Sequence, residues 1–336
     1  MEVGTAPPTP LIADLCAQKS WDITPDTKQL DLSVVKTAAG ASVLTVPTDG
    51  GAVRGFRVDQ RGDLFDRDIA PIREDRNYTG VSASTANGRL IVASHVDDKI
   101  ALDIVRDDLG ERHDLGDVSG TLITEAPMAS SRGAQVSLVG SESGLIGHAF
   151  TGATWQAGSP TDVTKASIVS MSATPYNDDV MFAWSTSAKT CHVSRFASGQ
   201  ESQVDFGCDD VRIASHDAHH RGMMVYVEDG VLYRSDLFVG VHSALYDNEV
   251  INKIQLRESA SSPRIVFDGE RFWISYLEVH GNVVVGFVDG QGKFHSRALA
   301  THAEVPEAYD LAVFGEGVWV VGIGDASFEA SRVCAR

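Results

Sequence analysis

Apolar and polar positions recur along this chain in a unit of about 46 residues, most regular between residues 262 and 299. That copy holds three apolar runs, Arg264–Phe267, Phe272–Leu277 and Val283–Val288, and a more polar run, Lys293–Leu299. Short segments rich in Asp and Gly separate the runs, and these residue types supply the positive φ that tight turns require. The pattern therefore predicts four antiparallel strands joined by short turns.

The same unit can be followed seven times through the chain, which decides the fold class. Neighbouring second strands are spaced by 43 to 49 residues, and they are centred near Val43, Leu90, Val136, Met181, Met224, Trp273 and Val318. Four strands in each unit of roughly 40–50 residues are typical of a β-propeller blade. The alternative is an all-β sandwich, which also has frequent turns. A sandwich has no reason to repeat one turn pattern in register, so we predict a seven-bladed β-propeller of four-stranded blades.

The seventh copy lacks its fourth strand, because the chain stops shortly after a third strand predicted at residues 327–333. An open ring would expose a strand edge. We therefore expect Ala17–Thr24 to supply the outer strand of blade seven and to close the ring. This predicts a flexible leader over residues 1–15 and one propeller domain over residues 16–336. A short helix is expected near Asp247–Leu256.

Four cysteines allow three pairings, and the repeat selects one of them. Cys191 and Cys208 flank a predicted turn at residues 199–200. In a hairpin centred on that turn, the residue numbers of two facing residues add up to 399, and 191 and 208 do so, which places the two cysteines opposite each other. Cys334 follows the last strand and Cys16 precedes the closing strand, so these two are predicted to pair. The alternative is four reduced, buried thiols. The spacings include no Cys-x-x-Cys, which argues against a zinc site.

Charge narrows the range of partners. The formal net charge is −18, from 28 basic and 46 acidic residues, which argues against nucleic acid and anionic membranes. No apolar run is long enough for a membrane span.

Residues 1–10 lack the features of a signal peptide. Since disulfides persist in oxidising compartments, we expect a monomeric secreted, periplasmic or cell-surface protein whose signal peptide has been removed.

A family resemblance rests on the copy around Ser262–Tyr276 and on Gly286–Gly292, with weaker echoes at residues 56–62, 85–92 and 180–184. These segments resemble the blade repeat of secreted bacterial β-propellers, in which an Asp-Gly turn precedes an aromatic-rich strand. The resemblance implies the fold and secretion. It implies no catalytic residues, because propellers serve many functions.

Candidate binding residues come first from the predicted turns between second and third strands, on a face where propellers usually bind ligands. Six of the seven turns contain an acidic residue, and the candidates for ligand contact there are Asp97, Asp98, Glu228, Asp229 and His280. Carboxylates around a central opening could bind Ca²⁺ through hard oxygen ligands, or a basic peptide or an amine. The alternative is that Asp and Glu are simply common in turns.

Further candidates lie in two long segments interpreted as connections between blades, residues 72–78 and 241–263. Long loops on a rigid scaffold often carry binding residues, and the candidates here are Arg73, Arg76, Tyr78, Tyr246 and Arg257. A histidine-rich segment supplies weak candidates for a transition-metal site, His216, His219 and His220, although the repeat places it on the opposite face.

Function is predicted from these features at a coarse level. We expect a binding or scaffold propeller that recognises a protein, a glycan or a cation through an acidic loop face. The alternative is an extracellular polysaccharide lyase or glycoside hydrolase with its site in the central funnel. No catalytic residue is assigned, since carboxylates are too numerous for spacing to single out a pair. A deep funnel in which an Arg, His or Tyr meets a carboxylate would favour the enzyme, whereas exposed aromatic residues would favour a binding module.

Overall fold

The structure is a computed structural model. It describes residues 12–21, 29–47, 50–65, 70–86, 88–106, 108–120, 122–127, 135–151, 156–157, 161–176, 179–196, 201–216, 221–238, 249–278, 280–303, 308–323 and 327–335. Within these ranges the regular structure is entirely β, with 29 strands arranged in seven antiparallel sheets.

The strands follow one another in chain order, with short turns between most of them. They are β1 (Ala13–Trp21), β2 (Gln29–Lys36), β3 (Gly40–Pro47), β4 (Gly51–Asp59), β5 (Ala70–Tyr78), β6 (Gly80–Ala86), β7 (Arg89–Val96), β8 (Lys99–Arg106), β9 (Arg112–Ser119), β10 (Leu122–Pro127), β11 (Gln135–Ser141), β12 (Gly144–Thr151), β13 (Gln156–Ala157), β14 (Thr161–Thr164), β15 (Ile168–Tyr176), β16 (Asp179–Thr186), β17 (Thr190–Arg195), β18 (Glu201–Gly207), β19 (Asp210–His216), β20 (Arg221–Glu228), β21 (Val231–Phe238), β22 (Glu249–Glu258), β23 (Ala260–Phe267), β24 (Phe272–Glu278), β25 (Asn282–Val288), β26 (Phe294–His302), β27 (Tyr309–Phe314), β28 (Gly317–Ile323) and β29 (Phe328–Ala335).

Each sheet is one blade of a ring. Blades one and two are β2–β5 and β6–β9, blade three is β10–β14, blades four to six are β15–β18, β19–β22 and β23–β26, and blade seven is β27–β29 with β1. The first strands of the seven blades contact one another in sequence, and β27 contacts β2, so the ring is closed. The predicted seven-bladed propeller of four-stranded blades is confirmed, with β13 and β14 sharing the outer position of blade three.

The ring closes as predicted, through an N-terminal strand in the last blade. β1 pairs antiparallel with β29, from Ala13 opposite Ala335 to Trp21 opposite Phe328. The strand begins four residues before the predicted Ala17, so its first three residues overlap the leader expected over residues 1–15. Residues 1–11 lie outside the described ranges. The Trp21 ring is buried, and its Nε1–H donates to the carbonyl oxygen of Gly62 in blade one at 2.9 Å.

Apolar packing between neighbouring blades forms the core. The second strands are almost wholly buried, because each is covered on both faces by adjacent sheets and has strands on both sides. One apolar cluster joins blades seven and one and includes Trp21, Phe56, Phe314, Trp319 and Phe328. Burial of continuous apolar second strands explains why they gave the clearest signal in the sequence.

Both predicted disulfides are present in the structure. Cys16 is bonded to Cys334 and Cys191 to Cys208, with Cα–Cα distances of 6.0 and 5.6 Å. The register used to predict the second pair was wrong, because Thr190 lies opposite Gly207 and the pairing shifts before His192, which lies opposite Gln203. This irregularity in the ladder brings Cys191 to Cys208, whose backbone N–H donates to the carbonyl of Lys189 at 3.0 Å.

Two segments interpreted as connections between blades are strands, and this corrects the sequence interpretation. Residues 70–78 form β5, and residues 249–258 form β22, each the outer strand of its blade. The helix expected near Asp247–Leu256 is therefore wrong over the described residues from Glu249 onward. β5 contains a continuous polar run, Arg73–Asn77, and in β22 the apolar alternation is confined to Lys253–Arg257, so neither segment shows the long alternation that identifies a half-buried strand.

The strand order defines two faces of the ring. We call the upper face the one that carries the turns from second to third strands and the connections between blades. The lower face carries the turns from first to second and from third to fourth strands. The candidate carboxylates in the second-to-third turns therefore share the upper face with the starts of the innermost strands.

Candidate functional site

A central cavity of about 580 Å³ lies between the innermost strands at the upper face. Its wall includes residues from the first strands of blades one, two, four, five, six and seven. This volume is within the range of pockets that bind small molecules. The polar members of the wall that matter below are Asp31, Ser170, Asp210, Arg212, Arg264 and Asp310.

Two of these carboxylates hold neighbouring blades together. The Asp31 side chain accepts hydrogen bonds from the backbone N–H groups of Leu32 at 2.9 Å and of Val81, in blade two, at 2.8 Å. Asp310 accepts from Leu311 and, in blade one, from Val34, both at 2.8 Å. An innermost strand has a ladder partner on one side only, so its other N–H groups need acceptors. The preceding blade supplies them.

Serines do the same between blades four and five. The hydroxyl of Ser170 accepts from the backbone N–H of Val211 at 3.2 Å, and Ser172 accepts from Ile213 at 3.2 Å. Ser170 also donates to the Asp210 carboxylate at 2.5 Å. The side chains facing the axis are therefore part of the structure of the ring as well as the lining of the cavity.

Two guanidinium groups enter this cavity from adjacent innermost strands. Arg212 donates to the Asp210 carboxylate at 2.5 Å and to the Ser170 hydroxyl at 2.8 Å. Arg264 lies over the Tyr309 ring at 5.0 Å, with its Nε 3.9 Å from an Asp310 oxygen. Burial raises the pKa of the Asp310 carboxyl and raises that of the Tyr309 hydroxyl to about 12. The cavity thus combines guanidinium donors with carboxylate acceptors that are already held by the backbone.

The carboxylates predicted on the upper turns fall into two groups, those without a charged partner and those paired with a lysine. Asp97 and Asp98 are exposed at the tip of the turn between β7 and β8, where Asp97 has a φ of 54°. Among the described residues, neither carboxylate has an ion-pair or hydrogen-bond partner. His280 is likewise exposed in the β24–β25 turn. Glu142 and Glu278 are exposed in the turns of blades three and six, so four of the five described upper turns carry an acidic residue.

Lysines of blades four and five partly neutralise the acidic residues on the upper face of blade five. The Lys189 Nζ lies 2.9 Å from Asp229 and 3.0 Å from Asp209, and these two carboxylates raise the pKa of the lysine. Glu228 pairs with Lys253 and also accepts from the backbone N–H of Gly207 at 3.2 Å. Among the described upper turns, the one with two adjacent carboxylates that lack a basic partner is therefore the turn of Asp97 and Asp98.

The candidates from the supposed connecting loops are held within and between blades. The Arg76 guanidinium binds the Asp117 carboxylate of blade two through two bonds of 2.7 and 3.0 Å. Tyr78 is fully buried, and its hydroxyl donates to Asp75 at 2.8 Å. Arg73 is also buried, with Nη1 2.7 Å from the buried Asp103 carboxylate. Arg257, in β22, donates to the Ser296 hydroxyl at 3.1 Å. Tyr246 lies outside the described residues.

Of the three histidine candidates, only one lies within the described residues. His216 ends β19 at the lower face, where its ring centroid lies 4.3 Å from that of Phe267, whereas His219 and His220 lie outside the described residues. In the part of the chain that is described, no three or more His, Cys, Asp or Glu side chains group as metal ligands. Nor do the described residues include a helix long and apolar enough to cross a membrane.

Sequence reasoning missed the charged residues of the innermost strands. A signal for them was present, since Asp31 and Asp310 each stand between apolar residues at the start of a first strand, as does Arg212 between Val211 and Ile213. A single charged residue at such a position is unexpected in an apolar strand, but the apolar residues around it still predict the strand. In a propeller, that departure indicates a side chain directed to the axis.

Comparison with known proteins supports the fold and goes no further. No protein-family model matches the chain, and no curated protein sequence matches it. Among solved structures, the chain is similar to the WD40 domain of coronin from Toxoplasma gondii, with a TM-score of 0.63 and 10% sequence identity. The match covers 96% of this chain and 86% of that one. At this identity the likeness concerns architecture alone, and it agrees with the fold-level resemblance to β-propellers found in the sequence.

Proposed function

We propose that this protein is a binding propeller that recognises a basic segment of a protein partner through its upper face. The observation that carries the proposal is the acidic residue in four of the five described upper turns, of which Asp97 and Asp98 are exposed and have no basic partner among the described residues. A local excess of negative charge raises the local concentration of positively charged ligands. The overall charge of −18 extends the same attraction over a longer range.

The cavity favours binding over catalysis. An arginine does meet a carboxylate there, which was the feature expected of the enzyme alternative. However, the Asp31 and Asp310 carboxylates accept backbone N–H groups that close the ring, so proton transfer at either one would weaken the contacts between blades. Burial lowers the pKa of His95, which also lines the cavity, so the protonated imidazolium that a general acid requires is disfavoured there. Rigid acceptors and donors of this kind suit recognition.

The test is binding of an oligolysine peptide amide, measured by isothermal titration calorimetry at low and at physiological ionic strength. The double variant Asp97→Lys/Asp98→Lys reverses charge at the upper face. The matched control, Glu111→Lys/Glu316→Lys, changes net charge by the same amount at exposed positions in lower-face turns. Since exposed charge pairs contribute about 0.2–1 kcal/mol each, we expect the upper-face variant to weaken binding at least about threefold. The control variant should bind like the parent protein at physiological salt.

Two outcomes would contradict the proposal. If the peptide does not bind the parent protein, the upper face does not recognise a basic segment. If both double variants weaken binding equally, the attraction comes from net charge and has no preferred face. Calcium binding at these carboxylates stays a prediction, and titration of the same variants with Ca²⁺ tests it separately.

We also propose that the protein works outside the cytoplasm. Two disulfides support this, since such bonds persist in oxidising compartments and are rare in the cytosol. Fractionation of the producing cells followed by non-reducing peptide mapping tests it. Recovery of the protein in the cytosol with free thiols would contradict it.

A further inference from the structure

A second cavity lies on the lower face, between blades five and six, and neither the acidic turns nor the central cavity contributes to it. Its volume is about 550 Å³, again in the range of small-molecule pockets. It is bounded by the end of β19, the start of β20, the end of β21 and the two lower turns of blade six. Its wall is therefore built from two rigid sheets, which favours a fixed shape.

One wall of this cavity is aromatic. The His216 and Phe267 rings lie 4.3 Å apart, and the Phe267 and Phe272 rings lie 4.9 Å apart. Phe267 and Phe272 are both partly exposed, whereas the largest aromatic side chains of the blade interiors are fully buried. Two partly exposed phenylalanine rings in one concave site form a surface on which a planar apolar group can stack.

Two guanidinium groups also line this cavity, those of Arg234 and Arg271. The Arg234 side chain is only 5% exposed, and its Nη1 and Nη2 donate to Asp236 at 2.8 Å and to the carbonyl of Gly292 at 3.0 Å. Its buried Nε has no hydrogen-bond partner among the described residues, and an unsatisfied buried donor is unfavourable. Arg271 is 23% exposed, pairs with Glu270 at 2.6 Å, and reaches the cavity from the first lower turn of blade six.

From this combination, we propose that the lower cavity binds a small molecule that carries an aromatic ring and a carboxylate. The ring stacks on Phe267 and Phe272, and the carboxylate accepts hydrogen bonds from the guanidinium groups of Arg271 and Arg234. Asp236, Glu270 and Asp289 also line the cavity. Their negative charge disfavours a phosphate dianion, whereas the single charge of a carboxylate is tolerated beside arginine.

Binding of phenylacetate, followed by ligand-observed saturation-transfer NMR, tests this directly. Two comparison probes each lack one feature, since 2-phenylethanol has the ring without the carboxylate and acetate has the carboxylate without the ring. For a probe of this size we expect a dissociation constant of roughly 1 mM. Both comparison probes should bind at least about tenfold more weakly, because each loses one of the two contacts.

Three variants place the binding in this cavity. Arg271→Gln removes a partly exposed guanidinium, and we expect it to weaken phenylacetate binding about tenfold, as loss of a charge-assisted hydrogen bond does. Phe272→Leu keeps apolar volume but removes the ring, and should also weaken binding. Arg89→Gln, an exposed position at the start of β7 in blade two, is the control for charge and should leave binding unchanged. Arg234→Gln should have the largest effect if a thermal melt shows that it folds.

The proposal fails if phenylacetate gives no saturation transfer, or if acetate or 2-phenylethanol binds as well as phenylacetate. It also fails if Arg271→Gln and Arg89→Gln bind the probe equally, since the signal then comes from another part of the surface. These results are independent of the oligolysine experiment, because that experiment reports on the opposite face.

Discussion

Removal of the Trp21 side chain should strongly destabilise the ring, because this residue joins the closing strand to blade one. The Trp21 side chain is 2% exposed, and its indole ring packs edge-on against the Phe56 ring at a centroid distance of 5.3 Å. A tryptophan buries roughly 150–250 Å², which at about 25 cal/mol per Å² corresponds to roughly 4–6 kcal/mol. Substitutions of this kind cost about 3–5 kcal/mol when measured. We expect Trp21→Ala to lower the free energy of unfolding by about 4 kcal/mol.

A second variant at the same position separates packing from hydrogen bonding. Trp21→Phe keeps most of the apolar contact but removes the Nε1–H donor and leaves the Gly62 carbonyl without it. An unsatisfied buried acceptor costs about 1–3 kcal/mol, so we expect a loss near 2 kcal/mol. Ser20→Ala, an exposed position in the same strand, is the control and should stay within about 0.5 kcal/mol of the parent.

The assay is equilibrium unfolding in guanidinium chloride, monitored by far-UV circular dichroism. The dependence of the free energy of unfolding on denaturant concentration must be the same for every variant. Far-UV detection avoids the change in fluorescence that loss of a tryptophan causes. The reasoning is refuted if Trp21→Ala costs less than about 1.5 kcal/mol, below the range for such truncations. It is also refuted if Trp21→Phe is as costly as Trp21→Ala, because packing would then contribute nothing.

Further predictions concern the disulfides, acid stability and the innermost strands. In the chain-entropy model, removing Cys16–Cys334, with a separation of 318 residues, should cost about 5–6 kcal/mol, against about 3 kcal/mol for Cys191–Cys208, with a separation of 17; thermal melts of the two double Cys→Ser variants check the order. Burial acts to raise the pKa of Asp75, but hydrogen bonds from Tyr78 and Arg73 outweigh it and lower the pKa to about 2. The ionised form is thus favoured in the folded state, so its stabilisation is present above about pH 4 and is lost as pH falls towards 2; Asp75→Asn should show a smaller loss of stability between those values in urea titrations. Asp310→Ala should cost about 2–4 kcal/mol because two backbone N–H groups lose their acceptor, and Asp310→Asn should cost less because its amide oxygen can still accept; urea titrations of both variants measure the difference.

The architecture was predictable because its strongest constraints are local and repeat along the chain. Second strands such as β16 and β24 are buried on both faces, so each is a continuous apolar run of fixed spacing. The outer strands were harder to place, since β9 is mostly exposed with only Leu115 and Val118 apolar, and the alternation in β22 is confined to Lys253–Arg257. Two of these outer strands were consequently interpreted as loops.

The candidate site was less predictable, because it depends on which residues of different blades meet. The charges of Asp97 and Asp98 could be placed on the upper face from the repeat alone, whereas the pairing of Lys189 with Asp209 and Asp229 depends on contact between neighbouring blades. The role of Asp31 likewise depends on an N–H group 50 residues away in sequence. One sequence contains no direct record of such contacts.

The pairing of Ala13 with Ala335 has a mechanical consequence. It places the two ends of the described chain side by side at the outer edge of blade seven. A force applied between them would separate β1 from β29 one residue pair at a time, starting from that end. The pull would reach the Cys16–Cys334 bond almost at once, since Cys334 lies opposite Asp14. With that bond intact, the force is transmitted through the disulfide and little of it acts on the seven blades. After reduction of the disulfide, the same force would separate β1 from β29 and open the ring.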